Sequence, residues 1–100
     1  MTILNITNGN NKGIANQFII TDIQKGVEVF KSYNSVIAVR EQSGTVKTQD
    51  GMFDYSNTTK KWFNAFLKED NQKNIEDYNT KIELVEDITE YLKSKYDIIL

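Results

Sequence analysis

All five glycines of this 100-residue chain fall between residues 9 and 51, proline is absent, and from Asn57 to Asp97 neither residue occurs. Glycine and proline are the strongest punctuation of regular backbone, so this asymmetry sets a half cut into short runs against a half free to continue. Short runs bounded by turns suit strands, and a long uninterrupted run suits helix.

The first half supports the strand reading in detail. Residues Thr2 to Thr7, "TILNIT", alternate apolar and polar, "NGNNKG" breaks the chain, and "IANQFIIT" resumes with β-branched and aromatic residues. After "DIQKG" comes "VEVFKS", where Val27 and Val29 fall on one pleat face and Glu28 and Phe30 on the other. "YNS" turns into "VIAVRE", "QSG" into "TVKTQ", and Asp50-Gly51 into "MFDY". Neighbouring strands joined by such short turns pair antiparallel, which predicts a meander of about four to six strands.

In the second half the apolar period changes. Trp62, Phe63, Phe66 and Leu67 recur at helical spacing, predicting a helix that opens near Asn57 or Thr58 and covers the sheet. The polar segment "KEDNQKN" should end or bend it. Leu84, Val85, Ile88, Tyr91 and Leu92 form a second stripe, and Thr80 with Glu83 fits a capping box, so a second helix is expected from about Lys81 to Lys95. "KIELVE" also alternates with period 2, leaving a short strand at Lys81–Glu86 as the rival reading. The expected fold is thus a single small α+β domain over 1–100: an antiparallel meander with one or two C-terminal helices packed on one face.

Composition narrows the function classes. Hydrophobic residues at 39% and charged residues at 26% match ordinary globular usage, so disorder is not the default. With 14 acidic and 12 basic residues the net charge is −2, and no global field draws the molecule to nucleic acid or anionic lipid. Cysteine and histidine are both absent, which removes thiolate nucleophiles, zinc–thiolate sites and the commonest general base. No enzyme, cofactor or metal is expected. The N-terminus lacks the pattern of a signal peptide, and no apolar run approaches the ~20 residues of a membrane span, so a soluble cytoplasmic protein is expected.

The most suggestive stretch is "DYSNTTKKWFNAFL", Asp54 to Leu67. Ser, Thr, Asn and Asp are the residues that cap a helix start, so the hydroxyls have an ordinary explanation. Lys60 and Lys61 do not, because cations near the positive end of the helix dipole are disfavoured by roughly 0.3–1 kcal/mol. Together with Trp62 they could hold a phosphate, a carboxylate or a stacked base. The candidate binding residues are Lys31, Tyr33, Arg40, Tyr55, Ser56, Thr58, Thr59, Lys60, Lys61 and Trp62. The glycine-bearing "GNNKG" lacks phosphate-loop spacing, and the adjacent carboxylates at Glu69-Asp70, Glu76-Asp77 and Glu86-Asp87 read as a solvated acidic face.

The segments "GIANQFII", "VFKSYNSVIAVRE", "GTV" and "DYSNTTKKWFNAFL" together resemble a family of small phage and mobile-element proteins of low-GC bacteria, over roughly Gly13 to Leu67. The shared pattern falls on Asn16, Phe18, Ser32, Tyr33, Ser35, Ala38, Asp54, Tyr55, Ser56, Thr58, Thr59, Lys61, Asn64 and Phe66. This chain has Phe53 where tryptophan is usual and departs from the pattern after Lys81. The resemblance implies an accessory protein in the host bacterial cytoplasm. The expected action is stoichiometric binding to a host protein or ribonucleoprotein, as an anti-CRISPR-like inhibitor blocks a CRISPR effector sterically. The alternatives are a nucleic-acid or phosphate-binding protein using the Lys60, Lys61, Trp62 corner with Lys31 and Arg40, or a small structural virion component.

Overall fold

The computed structural model describes residues 1–7, 12–54, 56–69 and 81–100. Its elements are strands β1 (Thr2–Thr7), β2 (Gly13–Asp22), β3 (Val27–Ser32), β4 (Ser35–Arg40) and β5 (Val46–Gln49), helix α1 (Asn57–Glu69), strand β6 (Ile82–Val85) and helix α2 (Ile88–Tyr96). One six-stranded sheet runs in the order β1-β2-β3-β4-β5-β6. The first five strands pair antiparallel and form the expected α+β meander.

Local chemistry explains the turns. Between β2 and β3 the Asp22 carboxylate accepts from the Lys25 N–H at 3.1 Å, and Gly26 closes the turn at φ 70°, a conformation that suits glycine. Between β3 and β4 the register Ser32↔Ser35 leaves a two-residue turn, Tyr33-Asn34. The run "VIAVR" carries no alternation because β4 is bulged: Phe30 pairs with Ala38 and Lys31 with Val36, so Ile37 is the extra residue. Ile37 and Ala38 therefore share one face, while Val36 and Val39 take the other. The meander ends at Gln49, and Met52 and Phe53 of "MFDY" sit in a turn rather than a strand, packed at the border of the core.

The two helices do not share a face. Phe63, Phe66 and Leu67 of α1 pack on Ile6, Ile19, Phe30, Ile37, Ala38 and Val46, whereas Ile88 and Leu92 of α2 pack on Ile20, Val27, Val29, Val36 and Val39. The strands thus bury both faces, which is why central strands carry near-continuous apolar runs. Phe66 stacks on Phe30 with ring centroids 5.7 Å apart and lies at the centre of the α1 side.

The helix expected over Lys81–Lys95 divides in two. Ile82–Val85 is strand, paired parallel to β5 from Val46↔Ile82 to Gln49↔Val85, and the rival period-2 reading of "KIELVE" is the correct one. Pairing satisfies the backbone groups that face β5, and alternation points Glu83 and Val85 to the α2 side, where Val85 packs and Glu83 binds Lys47 at 2.6 Å. The polar segment 70–80, including Thr80 of the expected capping box, lies outside the described residues. The actual cap lies seven residues later: Asp87 Oδ1 accepts from the Glu90 N–H at 3.1 Å, and Asp97 ends α2 in the left-handed region.

Candidate functional site

Ser56 begins α1. Its Oγ accepts from the Thr59 N–H at 3.1 Å and donates to Thr59 Oγ1 at 3.0 Å, while its carbonyl accepts the Lys60 N–H. Thr59 is fully buried, and its hydroxyl also meets Ser32 Oγ at 3.0 Å. Three hydroxyls from "SYNS" and "DYSNTT" thus form a clasp that ties the end of β3 to the first turn of α1. The ordinary capping explanation accounts for Ser56, and the third partner gives Thr59 a tertiary role.

The clasp brings the β3–β4 turn and the start of α1 into one corner. Tyr33 leads the turn at φ 55° with its side chain exposed, and its N–H is held by the Asn16 carbonyl at 2.7 Å. Asn16 itself sits at φ 65°. Two adjoining non-glycine residues in the left-handed region are uncommon, and asparagine tolerates it better than tyrosine. "ANQF" and "SYNS" are therefore coupled through backbone as well as side chains. Thr58, Lys60 and Lys61 are exposed, and Lys61 Nζ lies 4.8 Å from the centre of the half-buried Trp62 ring. The first turn contains no acidic residue, and among the described residues no carboxylate, Asp54 included, pairs with either lysine.

Not all sequence candidates join this corner. Arg40 is buried under the distal part of α1: it donates through Nη1 to Glu28 at 3.0 Å and through Nη2 to the Phe66 carbonyl, with its guanidinium 4.2 Å from the Phe66 ring centre. It is committed to the core and is not a ligand-facing cation. Lys31 pairs with Phe18 in register and faces the α2 side of the sheet, away from Lys60. Tyr55 lies outside the described residues.

Beside the clasp, Gln17 is opposite Ser32 and fully buried, and among the described residues neither its amide oxygen nor its nitrogen finds a partner. Such a group carries a desolvation penalty of about 1–3 kcal/mol.

The densest polar network lies elsewhere and was not singled out from sequence. Glu41, at the end of β4, accepts on one oxygen from Tyr91 at 2.7 Å, from Lys95 at 2.7 Å and from Tyr96. Burial raises its carboxyl pKa, but the bonds from Lys95, Tyr96 and Tyr91 outweigh that and hold it below the ordinary value. Burial and the bond to Glu41 push Tyr96 up to about 12. Lys47 bridges from 2.6 Å at Glu83 to 3.9 Å at Glu41, linking β6 to the same network. Gln49 Oε1 accepts from the Ile88 N–H at 3.0 Å, and Lys25 donates to the Tyr96 carbonyl at the negative end of α2. These partners converge on α2 from distant parts of the chain, so no local spacing signals them. An open cleft of about 260 Å³ between the β2–β3 and β4–β5 turns is lined by Glu28, Arg40 and Glu41, each already engaged. Among the described residues no group of three or more acidic, histidine or cysteine side chains could hold a metal ion.

A family model described as a family of unknown function, DUF8033, matches residues 1–86. The chain belongs to this family. No curated protein and no solved structure matches it. The DUF8033 match extends beyond Gly13–Leu67 on both sides, taking in β1 and β6 and ending just before α2. All three segments that meet at the clasp lie inside it.

Proposed function

We propose that this DUF8033 protein is a phage or mobile-element accessory protein that acts in the host cytoplasm by stoichiometric binding to a host macromolecule. In this reading it blocks a defence complex, of the CRISPR-effector kind, by occupying a surface rather than by catalysis. The observation that carries the binding surface is the clasp of Ser32, Thr59 and Ser56. It ties the turn that carries Tyr33 to the start of α1, where Lys60, Lys61 and Trp62 lie, and among the described residues neither lysine has an internal counter-charge. Preorganised aromatic and cationic groups suit an acidic protein surface, because little ordering entropy remains to be lost on binding. The biological setting rests on the resemblance of the same segments to phage proteins. No helix among the described residues is long and apolar enough to cross a membrane, which accords with action in solution.

Affinity purification of the tagged protein from host cells tests this, with Lys60→Glu/Lys61→Glu as the comparison. Wild type should retain a protein partner in stoichiometric amount, and the double variant should lose it while its thermal stability stays equal or rises by up to about 1 kcal/mol. Equal recovery by both proteins would remove the corner from the binding surface. The stacked Lys61–Trp62 pair favours a second reading, in which the corner holds single-stranded nucleic acid. Affinity falling steeply with salt would select that reading over a protein target.

A further inference from the structure

The two edges of the sheet are guarded differently. β6 is four residues long, carries Glu83 in an ion pair with Lys47, and is flanked by Lys81 and by Glu86 and Asp87. β1, at the opposite edge, has six residues, "TILNIT", with no charge, glycine or proline. Natural proteins commonly protect an edge strand with charge, proline, shortness or a covering element, because its outward N–H and C=O groups are open to another strand. Ile3 is 61% exposed and Leu4 62% exposed. They lie on opposite faces: Leu4 pairs with Ile19 of the α1-side cluster, and Ile3 with Ile20 of the α2-side cluster. Both hydrophobic clusters therefore run out at β1 on a large apolar side chain. A docked helix would cover one of these faces. A strand laid alongside β1 covers both and pairs the open backbone groups.

We propose that β1 pairs antiparallel with β1 of a second copy of this chain, about a two-fold axis perpendicular to the sheet. Two features select a second copy. The strand carries no charge, so two copies meet without like-charge repulsion. The axis keeps the α1 face continuous with the partner's α1 face, and likewise the α2 face, so each cluster is extended by its own counterpart. Because opposed residues must share a face, the two-fold centres on a residue. Centred on Leu4, it sets Leu4 against the copy's own Leu4 at the middle of the strand, with Thr2 opposite Ile6 on the same side. The twelve strands of the two copies then form one continuous sheet.

The chain has no cysteine, so Leu4→Cys introduces a single thiol at a position where opposed Cα atoms fall within disulfide range. Under mild oxidation this variant should cross-link to a dimer, whereas Ile23→Cys, even more exposed on the β2–β3 turn, should remain monomeric. Wild type should sediment at twice the chain mass of 11.6 kDa, and Ile3→Lys/Leu4→Lys at the chain mass with an unchanged circular dichroism spectrum. A wild type that sediments as monomer at high concentration would overturn the proposal. So would a dimer that survives the double lysine substitution, or cross-linking no greater through Leu4→Cys than through Ile23→Cys.

Discussion

Replacing Glu41 by glutamine keeps the shape of the side chain and removes the charge on which three donors converge. Hydrogen bonds to a charged group contribute about 1.5–3 kcal/mol each, set by how well water can replace them. Lys95 is 51% exposed and rehydrates readily, so its bond counts for little. The Tyr91 and Tyr96 hydroxyls reach from α2 to the end of β4 and are half-buried there, and the glutamine oxygen can still accept from one of them. The net loss for Glu41→Gln is then about 2–3 kcal/mol, which for a chain this size lowers the melting temperature by roughly 10–20 °C. Thermal melts followed by circular dichroism at pH 7 measure it. The pH dependence supplies an independent check. The folded carboxyl titrates below its ordinary value of 4.5, so its contribution is fully present above that value and is lost as pH falls through the folded pKa. The gap between wild type and variant should therefore close in acid. Tyr96 behaves in the opposite sense. Raised from 10.0 to about 12, its protonated form contributes stability that is lost as pH rises through that window. A loss below about 0.5 kcal/mol at pH 7, the scatter of ordinary surface substitutions, would show that the Glu41 network does not hold α2 in place and refute the reasoning.

Phe66→Ala removes a fully buried ring between Phe30 and Arg40 and should destabilise by about 3–5 kcal/mol in urea titration; near-wild-type unfolding would mean that α1 is not seated on the sheet. Gln17→Met replaces a buried amide that finds no partner among the described residues by an apolar side chain of similar volume and should raise stability by about 1–2 kcal/mol. A fall of that size would show instead that the amide is satisfied inside the folded protein.

The sequence alone determined the meander, because turn chemistry at Asp22–Gly26, Tyr33-Asn34 and Ser43-Gly44 is local, and alternation in "VEVFKS" reports a strand directly. It also determined the start of α1, since Ser56 caps through bonds within its own turn. What it could not distribute were the faces and the partners. Trp62, Phe63, Phe66 and Leu67 mark an apolar stripe, and Leu84 to Leu92 mark another, but neither stripe names the side of the sheet it covers. Leu84 belongs to an exposed position on β6, and only the parallel register with β5 reveals it, because backbone pairing across 36 residues overrides a helical period that four or five apolar residues happen to satisfy. The same holds for function. Arg40 reads as a free cation until Glu28, Phe66 and the packing of α1 enclose it, and Glu41 reads as one carboxylate among many until Tyr91, Lys95 and Tyr96 arrive from the other end of the chain. Lys60 and Lys61 remain without such partners among the described residues, because they sit exposed on the first turn of α1, at a corner held by the hydroxyl clasp rather than by charge pairing.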